Sequence, residues 1–496
     1  MRLLRRIVLT LFVLVYLVAC PLAILYALGY VVRPGDQPSL VKTGLIYVSS
    51  APPDASIFIN RRHYPHRTPT VIRGLLPGAY QLHVTSRHHQ PWIRTITVEA
   101  EKAFVLDHVL LLPQQPVPES LVPGAWRDLL PIPETRFMLV ASGDALDDLA
   151  VFDWETGESW PLIPAGSPFQ GGPVTFQTAV QGSPVVLLRV HLRRHEAFIR
   201  AELAKHRTRL ADLTSLFPEK LQRVEWEPRA PHQLYVLQNR EVNRLDSEAM
   251  AIYPQVAEGV RGYGVGNGAL YVLTEGLVCE RIERDGRRET VPLNPELVSA
   301  LSETRSTFRI SVWPSETLLF LGERGELLTN RPPYRLADAD VQGVTPDVAR
   351  ERALVWRRDA LGVLDVAALR RSDEEPPEPP PLQWVFLDGR DIQQAFWVFQ
   401  RSHALIRDRD AVFLFELDAP APRAVQRLVQ VRPRSSVVYV EDTGRLYFLD
   451  RETGGLCALP LVPKREPLPL PFPELLEEGS LPLSRVQRPA TPTVAR

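Results

Sequence analysis

Val437-Val438-Tyr439-Val440, a turn at Asp442-Thr443-Gly444, Arg445-Leu446-Tyr447-Phe448-Leu449-Asp450, a turn at Gly454-Gly455, then Leu456-Cys457-Ala458-Leu459: reading this stretch decides the fold. Each apolar run is too short for a helix and is rich in β-branched or aromatic residues, and each turn holds glycine or aspartate. The stretch reads as three strands of an antiparallel meander.

Working back from it, similar runs recur along the chain. They are Phe137-Met138-Leu139-Val140, Val185-Val186-Leu187-Leu188, Leu234-Tyr235-Val236-Leu237, Leu270-Tyr271-Val272-Leu273, Leu318-Leu319-Phe320-Leu321, Ala353-Leu354-Val355-Trp356 and Ala404-Leu405-Ile406. With Val437 their starts lie 33 to 51 residues apart, a period that suggests propeller blades. Several runs are followed by a second strand closing on aspartate: Val151-Phe152-Asp153, Arg244-Leu245-Asp246, Val363-Leu364-Asp365, Leu417-Asp418 and Leu449-Asp450. These aspartates suit turn caps better than catalytic acids. A four-stranded sheet cannot bury both faces alone, whereas neighbours stacked round an axis can. The pattern resembles a WD- or TolB-type β-propeller over residues 131–462, and the eight runs suggest seven or eight blades; a tandem of β-sandwiches is the competing architecture. Arg194 to Leu216 is charged enough to pass for a helix, and Arg371 to Pro381 reads as an exposed insertion. Residues 463–496 are proline-rich and read as a disordered tail.

A smaller β-region covers residues 42–112. It holds Gly44-Leu45-Ile46-Tyr47-Val48-Ser49-Ser50, Pro53-Asp54-Ala55, Ile57-Phe58-Ile59-Asn60, Thr68-Pro69, Leu76-Pro77-Gly78-Ala79-Tyr80 and Gln90-Pro91-Trp92. This order resembles the PEGA domain, which implies a small antiparallel β-sandwich acting as an envelope or surface module without catalysis. Asp54, Arg61 and Arg67 stand where that family often has glycine, so the tight turns there must form without its free positive φ. Residues 113–130, opening on Pro113-Gln114-Gln115-Pro116, read as a linker.

At the front, residues 1–6 carry Arg2, Arg5 and Arg6, and the 26 residues from Ile7 to Val32 carry no charge. At about 1.5 Å per residue this is long enough for a transmembrane helix with ends at Ile7 and Val32. The basic residues before it, with Arg33 and Asp36 after, favour a cytoplasmic N-terminus and an extracytoplasmic bulk at the cell membrane. Tyr26 and Tyr30 suit the outer interface. The run is too long for the apolar region of a cleaved signal peptide. Leu17-Val18-Ala19-Cys20 resembles a lipobox, but Pro21 follows the cysteine.

Composition excludes some functions. A net charge of -1 argues against a nucleic-acid partner. Lysine occurs only at Lys42, Lys102, Lys205, Lys220 and Lys464, so positive charge is almost all arginine; selection for carboxylate or phosphate recognition would require those arginines to cluster. Cys20, Cys279 and Cys457 form no CxxC pair, and the last two read as buried free thiols, a disulfide between them in an oxidising compartment being the alternative. Gly262-Tyr263-Gly264-Val265-Gly266-Asn267-Gly268 precedes a strand rather than a helix, and so reads as a turn, not a phosphate loop. His63, His66, His88 and His89 read as loop histidines without metal-ligand companions, and Asp144, Asp147 and Asp148 as a solvated acidic loop. No Gly-x-Ser-x-Gly, His-Glu-x-x-His or Asp-x-Asp-x-Asp-Gly motif occurs. The expectation is a mainly β envelope scaffold without catalytic residues, cofactor or metal, binding a protein or glycan. A propeller glycan hydrolase or lyase and a secretion component are the alternatives.

Overall fold

A computed structural model describes residues 2–27, 30–33, 39–164, 169, 172–193, 195–228, 230–371, 379–418 and 425–462. The expected tail and most of the 371–381 insertion lie outside them.

From Asp128 onward the chain folds into antiparallel four-stranded units. Their first strands are Asp128–Pro131, Val174–Ala179, Arg223–Glu227, Val260–Gly266, Phe308–Val312, Gly343–Asp347, Ile392–Val398 and Val438–Val440, which define blades 1 to 8 among the described residues. First strands touch between blades 2 and 3, 3 and 4, 4 and 5, 6 and 7, and 8 and 1, which places them toward the axis.

The eight apolar runs explain themselves by period two. Phe137, Leu139 and Ala141 pack with blade 2, whereas Met138 and Val140 pack with blade 8. Leu234 and Val236 meet blade 2, while Tyr235 and Leu237 meet blade 4. Each run is therefore apolar throughout because both faces of a blade are buried. Further cores join blades 4 and 5, 5 and 6, 6 and 7, and 7 and 8. With the core between blades 8 and 1 the sequence of contacts is cyclic, and the ring is a closed eight-bladed propeller. Seven of the runs are second strands; the last, Val438–Val440, is a first strand, so the final unit is displaced by one strand.

That displacement explains a correction. The meander of residues 437–459 supplies only three strands, and the fourth is Glu119–Val122, hydrogen-bonded beside Leu456–Pro460 with Glu119 opposite Ala458 and Ser120 opposite Cys457. The stretch 113–130, expected as a linker, thus holds the strand that seals the ring. The stretch from Arg194 to Leu216, expected as a possible helix, holds two strands, Glu196–Ala204 and Arg207–Asp212, with the short turn Thr214–Leu216; Ile199, Ala201 and Leu203 face the core shared with blade 1, and Phe198 the core shared with blade 3.

Residues 43–112 form two packed sheets around Ile46, Val48, Ile57, Leu82, Val84 and Ile96. One sheet is not antiparallel throughout: Gly44–Ala51 runs parallel to Ala103–Leu110, with Leu45 opposite Ala103. The Thr-Pro and Leu-Pro-Gly-x-Tyr signatures have structural reasons. The buried Thr68 hydroxyl accepts from the Ala55 N–H at 2.9 Å and lies 2.6 Å from Ser50 Oγ, and the Tyr80 hydroxyl donates to the Leu76 carbonyl at 2.8 Å. Asp54 and Arg61 take positive φ although neither is glycine, contrary to expectation; Arg67 lies in a strand.

The expected span from Ile7 to Val32 is not one helix: the helix starts earlier and ends at Ala27, and a strand covers the last residues. Helix α1 covers Arg2–Ala27, and Tyr30–Arg33 pairs with Ser39–Lys42, placing Val31 opposite Val41. β-branched Val31 and Val32 suit extended backbone, and Tyr30 lies against Lys42. No helix among the described residues is long and apolar enough to cross a membrane. The side chains of α1 from Leu11 to Val18 are nevertheless exposed apolar groups.

The small domain is fused to the ring. Trp92 Nε1 donates to Glu416 Oε1 at 2.7 Å, and Arg94 reaches Glu416 Oε2 at 2.6 Å. Leu110 and Leu112 enter the core shared by blades 7 and 8. Glu416 ends a third strand, so the small domain sits on the face where first strands end.

Candidate functional site

On the other face, where first strands begin, a cavity of about 760 Å³ opens over blades 3 to 5. Its walls carry Arg223, Arg240, Arg261, Arg305 and Arg309 against Glu275 and Glu323.

The cavity is built by an unusual seam. The first strands of blades 4 and 5 pair in parallel, Gly262 opposite Phe308 and Tyr263 opposite Arg309, fusing two blades into one eight-stranded sheet. Only glycine permits this approach. A Cβ on Gly262 would stand 2.6 Å from the Phe308 carbonyl oxygen, one on Gly264 1.8 Å from that of Ile310, and one on Gly266 2.5 Å from Val312 Cβ. The Gly-x-Gly-x-Gly run, expected as a turn, is therefore strand as far as Gly266, and only Asn267-Gly268 turns.

The seam carries Arg261 across to the entry of blade 5. Its Nε donates to the Ser306 carbonyl at 3.0 Å, and a terminal nitrogen donates to the Thr304 carbonyl and hydroxyl. All three acceptors are neutral. Burial pulls the Arg261 guanidinium below its ordinary value, opposed by Glu326 and Glu275. The loop from Thr304 to Thr307 is held by helix α2 (Pro295–Glu303), which starts under an Asn294 cap and buries Leu297, Ala300 and Leu301. Within the loop, Ser306 donates to the buried Glu326 at 2.8 Å.

The remaining arginines differ. Arg223 pairs with Glu225, donates to the Phe308 carbonyl at 3.1 Å and stacks over Tyr263 at 4.6 Å. Arg309 lies 3.7 Å from Glu225, and Arg240 pairs with Glu275. Arg305 is exposed and makes no ion pair with any described residue. The lining contains no histidine, cysteine or serine.

The other candidates disperse. Asp153, Asp246 and Asp450 cap turns by accepting backbone N–H groups, and Asp365 accepts from Ala368. Asp418 instead pairs with Arg350 and Arg352. Asp144 pairs with Arg127, and Asp148 accepts from Ala145. His63 and His66 lie in the strand Arg62–Arg67 rather than a loop; His88 sits in a turn and His89 bridges to Pro113. No three His, Cys, Asp or Glu residues among those described could together hold a metal. Cys279 and Cys457 are buried free thiols, and burial pushes Cys279 up to about 12.

The arginine cluster was missed because its members are scattered in sequence. A signal exists: Arg223, Arg261 and Arg309 are the first or second residues of three successive first strands. Aligning the repeats in phase brings them to one end.

Residues 43–112 match the PEGA domain. No curated protein matches the chain. Among solved structures, the β-propeller domain of Myceliophteria thermophila Cps50 (Swd1) is similar at 12% identity and a TM-score of 0.42, over 71% of this chain and 100% of that one. Chaetomium thermophilum Sqt1 bound to the N-terminus of ribosomal protein L10 gives 11% and 0.43, over 68% and 97%. PorZ, a surface component of the type-IX secretion system of Porphyromonas gingivalis, gives 13% and 0.36, over 66% of this chain and 42% of that one. The architecture described above rests on this chain's own strand pairing and cores, and likenesses at this level add nothing to it.

Proposed function

We propose that this protein is a membrane-attached binding scaffold of the cell envelope that recognises a protein through the open face of its ring. The observation that carries the reading is the opposition of faces: the small domain, which follows the N-terminal helix, sits on one face, and the arginine-lined cavity opens on the other. A rigid body of this kind holds its cavity away from its point of attachment. The attachment is α1: Ile7 to Ala27 carries no charge, and exposed apolar side chains along the helix gain about 25 cal/mol per Å2 on leaving water. Arg2, Arg5 and Arg6, in the first turns of the helix, favour a cytoplasmic N-terminus. A binding role without catalysis fits the cavity, whose ionisable groups are guanidinium and carboxylate only.

A photo-crosslinking residue in place of exposed Thr307, in the cavity, tests the reading in cells, beside a second in place of Glu134 on the opposite face. Thr307 is expected to capture a distinct partner protein, from membranes that retain the chain through an alkaline wash. Release of the chain by that wash, labelling of the ring by a cytosol-confined reagent, or capture from neither position would overturn it.

A further inference from the structure

We infer that the cavity over blades 3 to 5 takes an acidic peptide segment, whose carboxylates bind Arg261 and Arg305. This rests on the scaffold reading above and names the partner's chemistry.

Charge makes the first argument. Five arginines face two glutamates in the lining. Arg240, Arg223 and Arg309 find carboxylates within the chain. Arg261 finds only carbonyl and hydroxyl oxygens, and Arg305 no ion pair among the described residues. A cation bonded only to neutral acceptors keeps its charge available to an anion, and a planar guanidinium matches a carboxylate by two parallel hydrogen bonds.

Preorganisation makes the second. Arg261 is fixed by its three acceptors, and the loop bearing Arg305 is pinned by α2 and by Ser306 on Glu326. Side chains already ordered cost less to immobilise on binding.

The form of the anion follows from what the walls lack and what they repel. At about 760 Å³ the cavity far exceeds a single small anion and suits a short stretch of chain. The lining offers no exposed aromatic ring: Phe308 is its one aromatic residue and is buried. That disfavours a sugar, which would stack on such a ring. Glu275 and Glu323 on the rim would repel an unbroken run of phosphates, whereas a peptide can place neutral residues beside them.

The test uses the full chain in detergent micelles. A fluorescein-labelled dodecapeptide of alternating Glu and Ser is compared with its Gln-Ser counterpart by anisotropy, with hyaluronate oligosaccharide and polyphosphate as competitors. The Glu peptide is expected to bind, and more weakly at higher salt because exposed charges are screened within about 8 Å at physiological strength. Exposed Arg305→Glu should fold with an unchanged thermal midpoint and weaken binding about tenfold or more, as losing one charge-assisted contact does. Arg261→Gln should do likewise. Equal binding of the Gln peptide, binding unaffected by Arg305→Glu, or tighter binding of hyaluronate or polyphosphate would overturn the inference. In cells, partner capture at Thr307 that survives Arg305→Glu would sink this inference and leave the scaffold reading standing, whereas failure of capture at every position would sink the scaffold reading itself.

Discussion

Arg61 is held at φ 67° beside Asn60 at φ 48° in the tight turn between Ser56–Ile59 and Arg62–Arg67. A residue with a Cβ is strained in the left-handed region, and glycine is not. Arg61→Gly is expected to raise stability by about 0.5–1 kcal/mol, read from chemical denaturation. His403 presents the opposite case. Burial, then the neighbouring His108, pushes it down to about 3, and Ser402 Oγ lies 2.8 Å from its Nδ1. Its folded value lies below the unfolded one, so its contribution is intact above about 6.5 and is lost as pH falls from there toward 3. Between pH 6.5 and pH 5 the wild type should lose about 2 kcal/mol more than His403→Gln, at about 1.4 kcal/mol per pH unit. An equal loss in both proteins would refute this. Residues of these two kinds differ in how readable they are. The turn-capping aspartates were legible because each acts on backbone two or three residues away. Arg261 and Arg305 were not, since their role depends on strands brought together only by the ring.

Between elements, the seam of Gly262, Gly264 and Gly266 against Phe308–Val312 allows a sharp test. Gly264 has no positive φ to defend, so Gly264→Ala acts by crowding alone, its Cβ 1.8 Å from a backbone oxygen. We expect a loss of about 3 kcal/mol, seen as a lower thermal midpoint, with acidic-peptide binding weakened because Arg261 leaves its acceptors. The seam also shows where sequence reading stops. The eight runs announced seven or eight blades through their spacing and their apolar character. Parallel pairing of two blades leaves no such mark: glycines that admit a neighbouring backbone look, in sequence, like glycines that turn. A second junction rests on Glu416, which receives both Trp92 and Arg94. Glu416→Ala leaves the part-buried Arg94 and the Trp92 N–H without their acceptor, a loss of about 2–3 kcal/mol. Hydrogen exchange should then rise in the strand Trp92–Val98 while blades 2 to 5 keep their protection.

At the scale of the whole molecule, the ring is sealed by pairing across the longest separation in the fold, Glu119 with Ala458. Ser120→Pro deletes one ladder N–H and bends that strand. It should lower the thermal midpoint and, by baring the edge of Leu456–Pro460, produce higher oligomers on size exclusion. A monomer of unchanged midpoint would show that the seal matters little. The same pairing sets an order of events in biosynthesis. Glu119 leaves the ribosome more than three hundred residues ahead of its partner, so a nascent chain can complete early blades yet must travel with both ends of the circle unjoined. Any chain broken off before Leu456 stays a sticky, open-ended stack, which chaperones and proteases can tell from the finished protein by that bare edge alone.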